Sequence, residues 1–237
     1  MTPLSKNARV AGLLYALFSA LLVVRLSYIP STLIVYDNAA ATANNIVAHD
    51  LLFRFGIVSY LLGAAGWIFV TLALYRLFKE VDQGLAVLMV ILGSLIPVPI
   101  FFLNAVNDAA ALLLARGGDF LTAFDKPQRD ALAALFLRLH HQGDLANEIF
   151  WGLWLVPFGL LVYKSHFLPR ILGVWLIAGC FGYLALSITG FLFPQYEDKA
   201  YTYTQPLIIG ELAVVLWLLI MGAKAPAAVA GTSSSPA

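Results

Sequence analysis

The chain of 237 residues is 61% hydrophobic and 11% charged with a net charge of +1, and its mean hydropathy is +0.87; soluble domains carry about 45–50% apolar and about 25% charged residues. That balance calls for a lipid solvent, and it excludes the basic field that nucleic-acid binding requires. The lone cysteine, Cys180, excludes an intrachain disulfide or a thiolate metal cluster and reads as a small packing residue in an apolar run.

A helix crosses about 30 Å of hydrocarbon with about 20 apolar residues, and six runs qualify: 10–29, 52–77, 85–106, 145–163, 170–193 and 206–222. Lys6 and Arg9 precede the first run. Ala41-Thr42-Ala43 imitates a signal cleavage site but lies too far beyond the run, past Arg25 and Pro30, so an uncleaved signal anchor is expected. The Ala/Asn-rich stretch from Asn38 to Ala48 predicts a short interfacial helix between the first two spans. In the third span, Pro97 and Pro99 each remove a backbone donor, which predicts a kink, with Ser94 placed to satisfy a freed group. Gly117-Gly118 then breaks the chain. Lys126 to Arg138, with apolar Leu132, Leu135 and Phe136, predicts an amphipathic lead-in to the fourth span. The short links around Asp82 and His166 predict antiparallel hairpins. The uncharged Ala/Ser/Pro-rich tail 225–237 is expected to be disordered.

The expected fold is therefore all-α: a polytopic transmembrane bundle of six spans forming one domain over 1–224. With the N-terminus inside, the cytoplasmic segments hold Lys6, Arg9, Arg76, Lys79, Lys164, Arg170 and Lys224 against Glu80 and Asp82. That bias predicts both termini in the cytoplasm and a multi-pass protein of the inner membrane.

Polar groups inside apolar runs are costly in lipid and face protein or water. Threading the spans alternately puts Arg25, Arg54, Asn104, Asn107, Asp108, His140, His141, Asp144, Asn147, Glu148 and Glu211 toward the extracytoplasmic side, which predicts a polar pocket there. Arg25, Arg54, His140, Asp144, Glu148 and Glu211 are the candidate ligand-binding residues. His140, Asp144 and Glu148 follow at i, i+4 and i+8 on one helix side, and an imidazole with two carboxylates is the donor set of a divalent-metal site, with Glu211 as a further ligand or base. The same acids can equally neutralise Arg25, Arg54 and Arg138 as ion pairs. No His-Glu-x-x-His motif, Gly-x-Ser-x-Gly serine or phosphate loop is present, and the histidines do not suit a bis-histidine haem, so no cofactor is expected. The partners expected are the bilayer and a small amphipathic ligand, without nucleic acid.

Ala8-Arg9-Val10-Ala11-Gly12-Leu13-Leu14-Tyr15, Leu52-Phe53-Arg54-Phe55-Gly56, Leu139-His140 with Gly143, Leu168-Pro169-Arg170-Ile171-Leu172-Gly173, and Gly210-Glu211-Leu212 ahead of Leu216-Trp217-Leu218-Leu219 together resemble, in order and spacing, the bacterial domain-of-unknown-function 4386 family over about Ala8 to Lys224. The resemblance implies a small multi-helix inner-membrane protein without an assigned activity, and it carries over Arg54, His140 and Glu211. Where such proteins often show Gly-Leu-His, this chain has Gly152-Leu153-Trp154, which speaks against a second histidine below His140. Three functions follow from these readings. The favoured one binds a small molecule or lipid headgroup, with Arg54 and Arg25 against an anionic group; a metal-dependent membrane hydrolase and a small transporter are the alternatives.

Overall fold

A computed structural model describes residues 2–223; Lys224 and the tail expected to be disordered lie outside the described residues. Six long apolar helices make this a multi-pass membrane protein: α1 (Pro3–Leu33), α3 (Asp50–Phe78), α4 (Gln83–Arg116), α5 (Lys126–Ser165), α6 (Arg170–Leu192) and α7 (Pro194–Ile220), with the short α2 (Ala39–Ala48) between the first two. No strand occurs among the described residues.

Several helices outrun their apolar cores because local capping sustains them. Asp125 accepts from the Gln128 N–H at 2.8 Å while the Gln128 side chain accepts from the Asp125 N–H at 3.0 Å, a reciprocal cap that starts α5 well before its apolar run. The amphipathic lead-in is thus continuous with the fourth span, and its 40 residues extend about 60 Å, roughly twice the hydrocarbon thickness. Asn38 caps α2 by accepting from the Ala41 N–H at 2.9 Å. Gly117, at φ 71°, ends α4 in the left-handed region that a side chain resists.

Two π-helical turns interrupt the spans, at Val24–Tyr28 and Ile91–Leu95. Each lies just ahead of a proline, Pro30 or Pro97, which cannot donate to the carbonyl four residues back. The ladder slips to i+5 bonds, Ile29 N–H to Val24 O and Ile96 N–H to Ile91 O. Ser94 donates to Val90 O and accepts from Thr71, both at 3.0 Å, so the break expected in the third span is held by side chains. A further break falls at Trp154 in α5, three residues before Pro157.

The spans pack in chain order, α1 on α3, α3 on α4, α4 on α5, α5 on α6 and α6 on α7. The ring closes where the second half of α7 returns to α1, and small residues set that approach. A Cβ at Gly12 would lie 2.7 Å from Leu219 N. The first half of α7 leans on α6 and leaves α1, so the two helices diverge. The end holding both hairpin links is basic. There Arg9 donates to Ile220 O at 3.1 Å, and Lys164 sits 2.9 Å from Asp82; that hydrogen bond and the Leu85 N–H hold the Asp82 carboxyl below the usual carboxylate range.

Candidate functional site

Four helices bring a buried polar cluster together toward the α2 end. Arg25, at the start of the π turn in α1, points inward, where Nε and Nη2 donate to Oδ2 and Oδ1 of Asp108, each at 2.6 Å, with both residues excluded from solvent. A bidentate guanidinium–carboxylate pair is the strongest form of such a contact. Asp108 stands one turn beyond Asn104 on α4, and His140 one turn before Asp144 on α5, so each helix presents two polar groups on one face. Nδ1 of His140 lies 3.1 Å from both Asn104 O and Asp108 Oδ1. Both neighbours are acceptors, which places a proton on that nitrogen. Nε2 is 3.1 Å from Asp144 Oδ2 but out of line for a hydrogen bond. Asp144 Oδ1 accepts from the Tyr60 hydroxyl at 2.8 Å and from Asn104 Nδ2 at 2.9 Å. Tyr60 also lies against the His140 ring, centroids 5.2 Å apart. Gly143 makes this approach possible, since a Cβ there would overlap the Asn104 side chain.

Above the cluster is a half-open cavity of about 550 Å³. Arg25, His140 and Asp144 line its floor; Tyr36, Arg138, His141, Glu197 and Asp198 line its mouth. His141 Nε2 reaches Glu197 Oε1 at 2.9 Å, tying α5 to the start of α7. Arg138 donates to Tyr36 O at 3.3 Å.

Of the six candidate residues, Arg25, His140 and Asp144 meet in this cluster. Arg54 does not. Its side chain is 45% exposed and pairs with Asp50 at 2.7 Å, which also lies 3.4 Å from Arg116; one turn into α3, this residue faces the surface although its neighbours are apolar. Glu148 is near the cluster, and its buried Oε2 has no hydrogen-bond partner among the described residues. Glu211 is elsewhere. Helix α7 begins twelve residues before the apolar run, so Glu211 lies about 14 Å from the basic end of its helix, near mid-depth and not at the outer rim. Neither arginine meets the acids expected for it: Arg25 pairs with Asp108, Arg54 with Asp50. The donors proposed for a metal do not converge either, because the two nitrogens of His140 face different carboxylates; among the described residues no three His, Cys, Asp or Glu side chains are grouped for a metal ion.

Glu211 belongs to a second cavity, about 490 Å³, between α1 and α7 where they diverge. Tyr15 donates to its Oε2 at 2.5 Å and Tyr183 to its Oε1 at 2.7 Å. Trp67, Trp151 and Trp154 wall this groove, and Leu26 lines both cavities as the partition between them. Tyr15, Tyr60 and Tyr183 were not candidates from the sequence, though a hydroxyl within an apolar run needs a partner. That need is the signal that points to them.

The family model for a domain of unknown function, DUF4386, matches residues 10–222. An uncharacterized protein of Archaeoglobus fulgidus is 34% identical over 76 residues, which is 32% of this chain and 44% of that protein, so the match spans less than half of that relative. No solved structure matches.

Proposed function

Because the chain belongs to the DUF4386 family, whose members carry no assigned activity in that description, we propose a function from the site itself: the protein binds a small amphipathic molecule or lipid, with its polar group in the cavity at the α2 end. The observation that carries this reading is the cavity's floor, a charged cluster fixed by four helices beneath a mouth of both signs. Its volume of about 550 Å³ falls within the roughly 300–1,000 Å³ typical of ligand sites. Arg25 is already held by Asp108 and Arg54 is outside, so a purely anionic group has little to bind. Arg138 sharing the cavity wall with Asp144, Glu197 and Asp198 suits a zwitterionic or hydroxyl-bearing group. Among the described residues no three His, Cys, Asp or Glu side chains are gathered as metal donors, which favours binding over metal-dependent hydrolysis.

The test is the molecule that comes along. Protein extracted with its surrounding bilayer should carry one amphiphile class enriched over bulk lipid, read by mass spectrometry. Arg138→Ala with Asp198→Ala, both at the mouth and away from the buried cluster, should lower that enrichment several-fold. Bulk lipid composition around both proteins would sink the reading.

In this proposal the cavity faces away from the cytoplasm of the inner membrane, supported by the basic residues gathered at the opposite end. Reporter fusions after Glu80 and Ser165 should then read cytoplasmic, and fusions after Ala43 and Asp119 external. The reverse pattern would turn the cavity to the cytoplasm.

A further inference from the structure

The groove between α1 and α7 holds a carboxylate without a counter-ion. No Lys, Arg or His of the described residues lines it, and none forms a salt bridge with Glu211. What Glu211 has instead is two phenol donors, Tyr15 and Tyr183, one on each oxygen. Around it stand aromatic rings set edge to face. Tyr15 and Trp67 have centroids 5.0 Å apart at 89°, and Trp67 and Trp154 5.9 Å apart at 67°.

Each candidate occupant meets these walls differently. An anion is repelled by Glu211 and finds no basic group. A plain hydrocarbon chain fits the aromatic surface but leaves the carboxylate uncompensated at mid-depth, where an unpaired charge is most costly. A compact hydrated cation loses its water on entering so apolar a wall. A cation with its charge spread under a hydrophobic coat loses little hydration, attracts the carboxylate and lies well against the negative faces of tryptophan and tyrosine. The route in is lateral. Beyond Gly12 the first half of α7 parts from α1, and Val23, Leu212 and Leu216 at the rim are about half exposed on the lipid-facing surface.

We propose that this groove is a binding site for hydrophobic monovalent cations, of the quaternary ammonium, phosphonium or lipophilic amine class, admitted from the bilayer and neutralised by Glu211 within an aromatic cage. The site is independent of the polar cavity, from which Leu26 separates it.

Tetraphenylphosphonium and tetraphenylborate are a suitable pair of probes, close in shape and opposite in charge. Titrated into the full-length protein in detergent, tetraphenylphosphonium should quench tryptophan fluorescence saturably and be retained in equilibrium dialysis, and tetraphenylborate should not. Glu211→Gln keeps the size and one acceptor oxygen and should weaken binding at least tenfold. Ala20→Trp, which fills the groove from its rim, should abolish binding without touching the carboxylate, so the test survives if one variant fails to fold. The pair Arg138→Ala and Asp198→Ala should leave binding unchanged, which separates this site from the cavity at the α2 end. Unsaturable binding of the cation, equal binding of the borate, or affinity that neither Glu211→Gln nor Ala20→Trp alters would overturn the assignment.

Discussion

Replacing Arg25 with alanine is expected to destabilise the bundle by about 3–5 kcal/mol, because it strands a buried carboxylate. Asp108 is fully excluded from solvent, and both of its oxygens are held by the one guanidinium at 2.6 Å. With Arg25 removed, His140 Nδ1, 3.1 Å away, is its one remaining partner among the described residues. Denaturant unfolding in a fixed detergent should register the loss. Arg25→Ala with Asp108→Ala should cost less than the sum of the single changes, because removing both charges leaves none unpaired. Arg54→Ala is the contrast: its exposed pairing with Asp50 should leave the unfolding midpoint nearly unmoved. Equal effects at positions 25 and 54 would mean that the buried pair is solvated in the bilayer.

Gly173→Ala should be nearly as damaging, for a reason unrelated to charge. Spans α5 and α6 cross at Gly159 and Gly173, and a Cβ on Gly173 would lie 2.5 Å from Gly159 O and 2.9 Å from Tyr163 N. Both obstacles are backbone, so no rotamer change relieves them, and the helices must separate. Overpacking of this kind costs about 1–3 kcal/mol and occasionally more; the upper part of that range is expected, read as lost yield of folded protein and a lower unfolding midpoint. Gly84→Ala offers a matched control in the first turn of α4, where a Cβ would meet only Asp82 Oδ1 at 3.6 Å. If Gly173→Ala behaves like that control, the crossing is looser than drawn here.

The number of spans and the polar character of the α2 end were legible in the sequence because lipid imposes a simple rule, about 20 apolar residues per crossing. Helix ends were not, since Asp125 and Gln128 extend α5 by a reciprocal cap that hydropathy does not register. That matters most for Glu211. Measured from the apolar run it falls near the surface; measured from Pro194, where α7 begins, it falls near mid-depth and in a different cavity. Arg25, His140 and Asp144 were found because charge in an apolar run is conspicuous. Their partners were harder, although Asn104 with Asp108 and His140 with Asp144 share one i, i+4 spacing on neighbouring helices, a pattern that matches two faces before any contact is known. Arg54 misled for the opposite reason: its neighbours Phe53 and Phe55 point to different surroundings, and only Phe53 is buried.

The π turn at Val24–Tyr28 is a phase shifter. One additional residue in a helical turn rotates everything on one side of it by about 100° against the other. The shift lets a single helix serve two packing faces that an uninterrupted α1 would serve only one at a time, Gly12 and Tyr15 facing α7 before the turn while Ile29 and Leu33 pack into the core at the α2 end beyond it. Losing a single residue from this turn would restore ideal helix geometry and put the two halves out of phase with their targets, so the chain length from Tyr15 to the buried Ile29 and Leu33 beyond the turn is constrained as tightly as the identity of any of them.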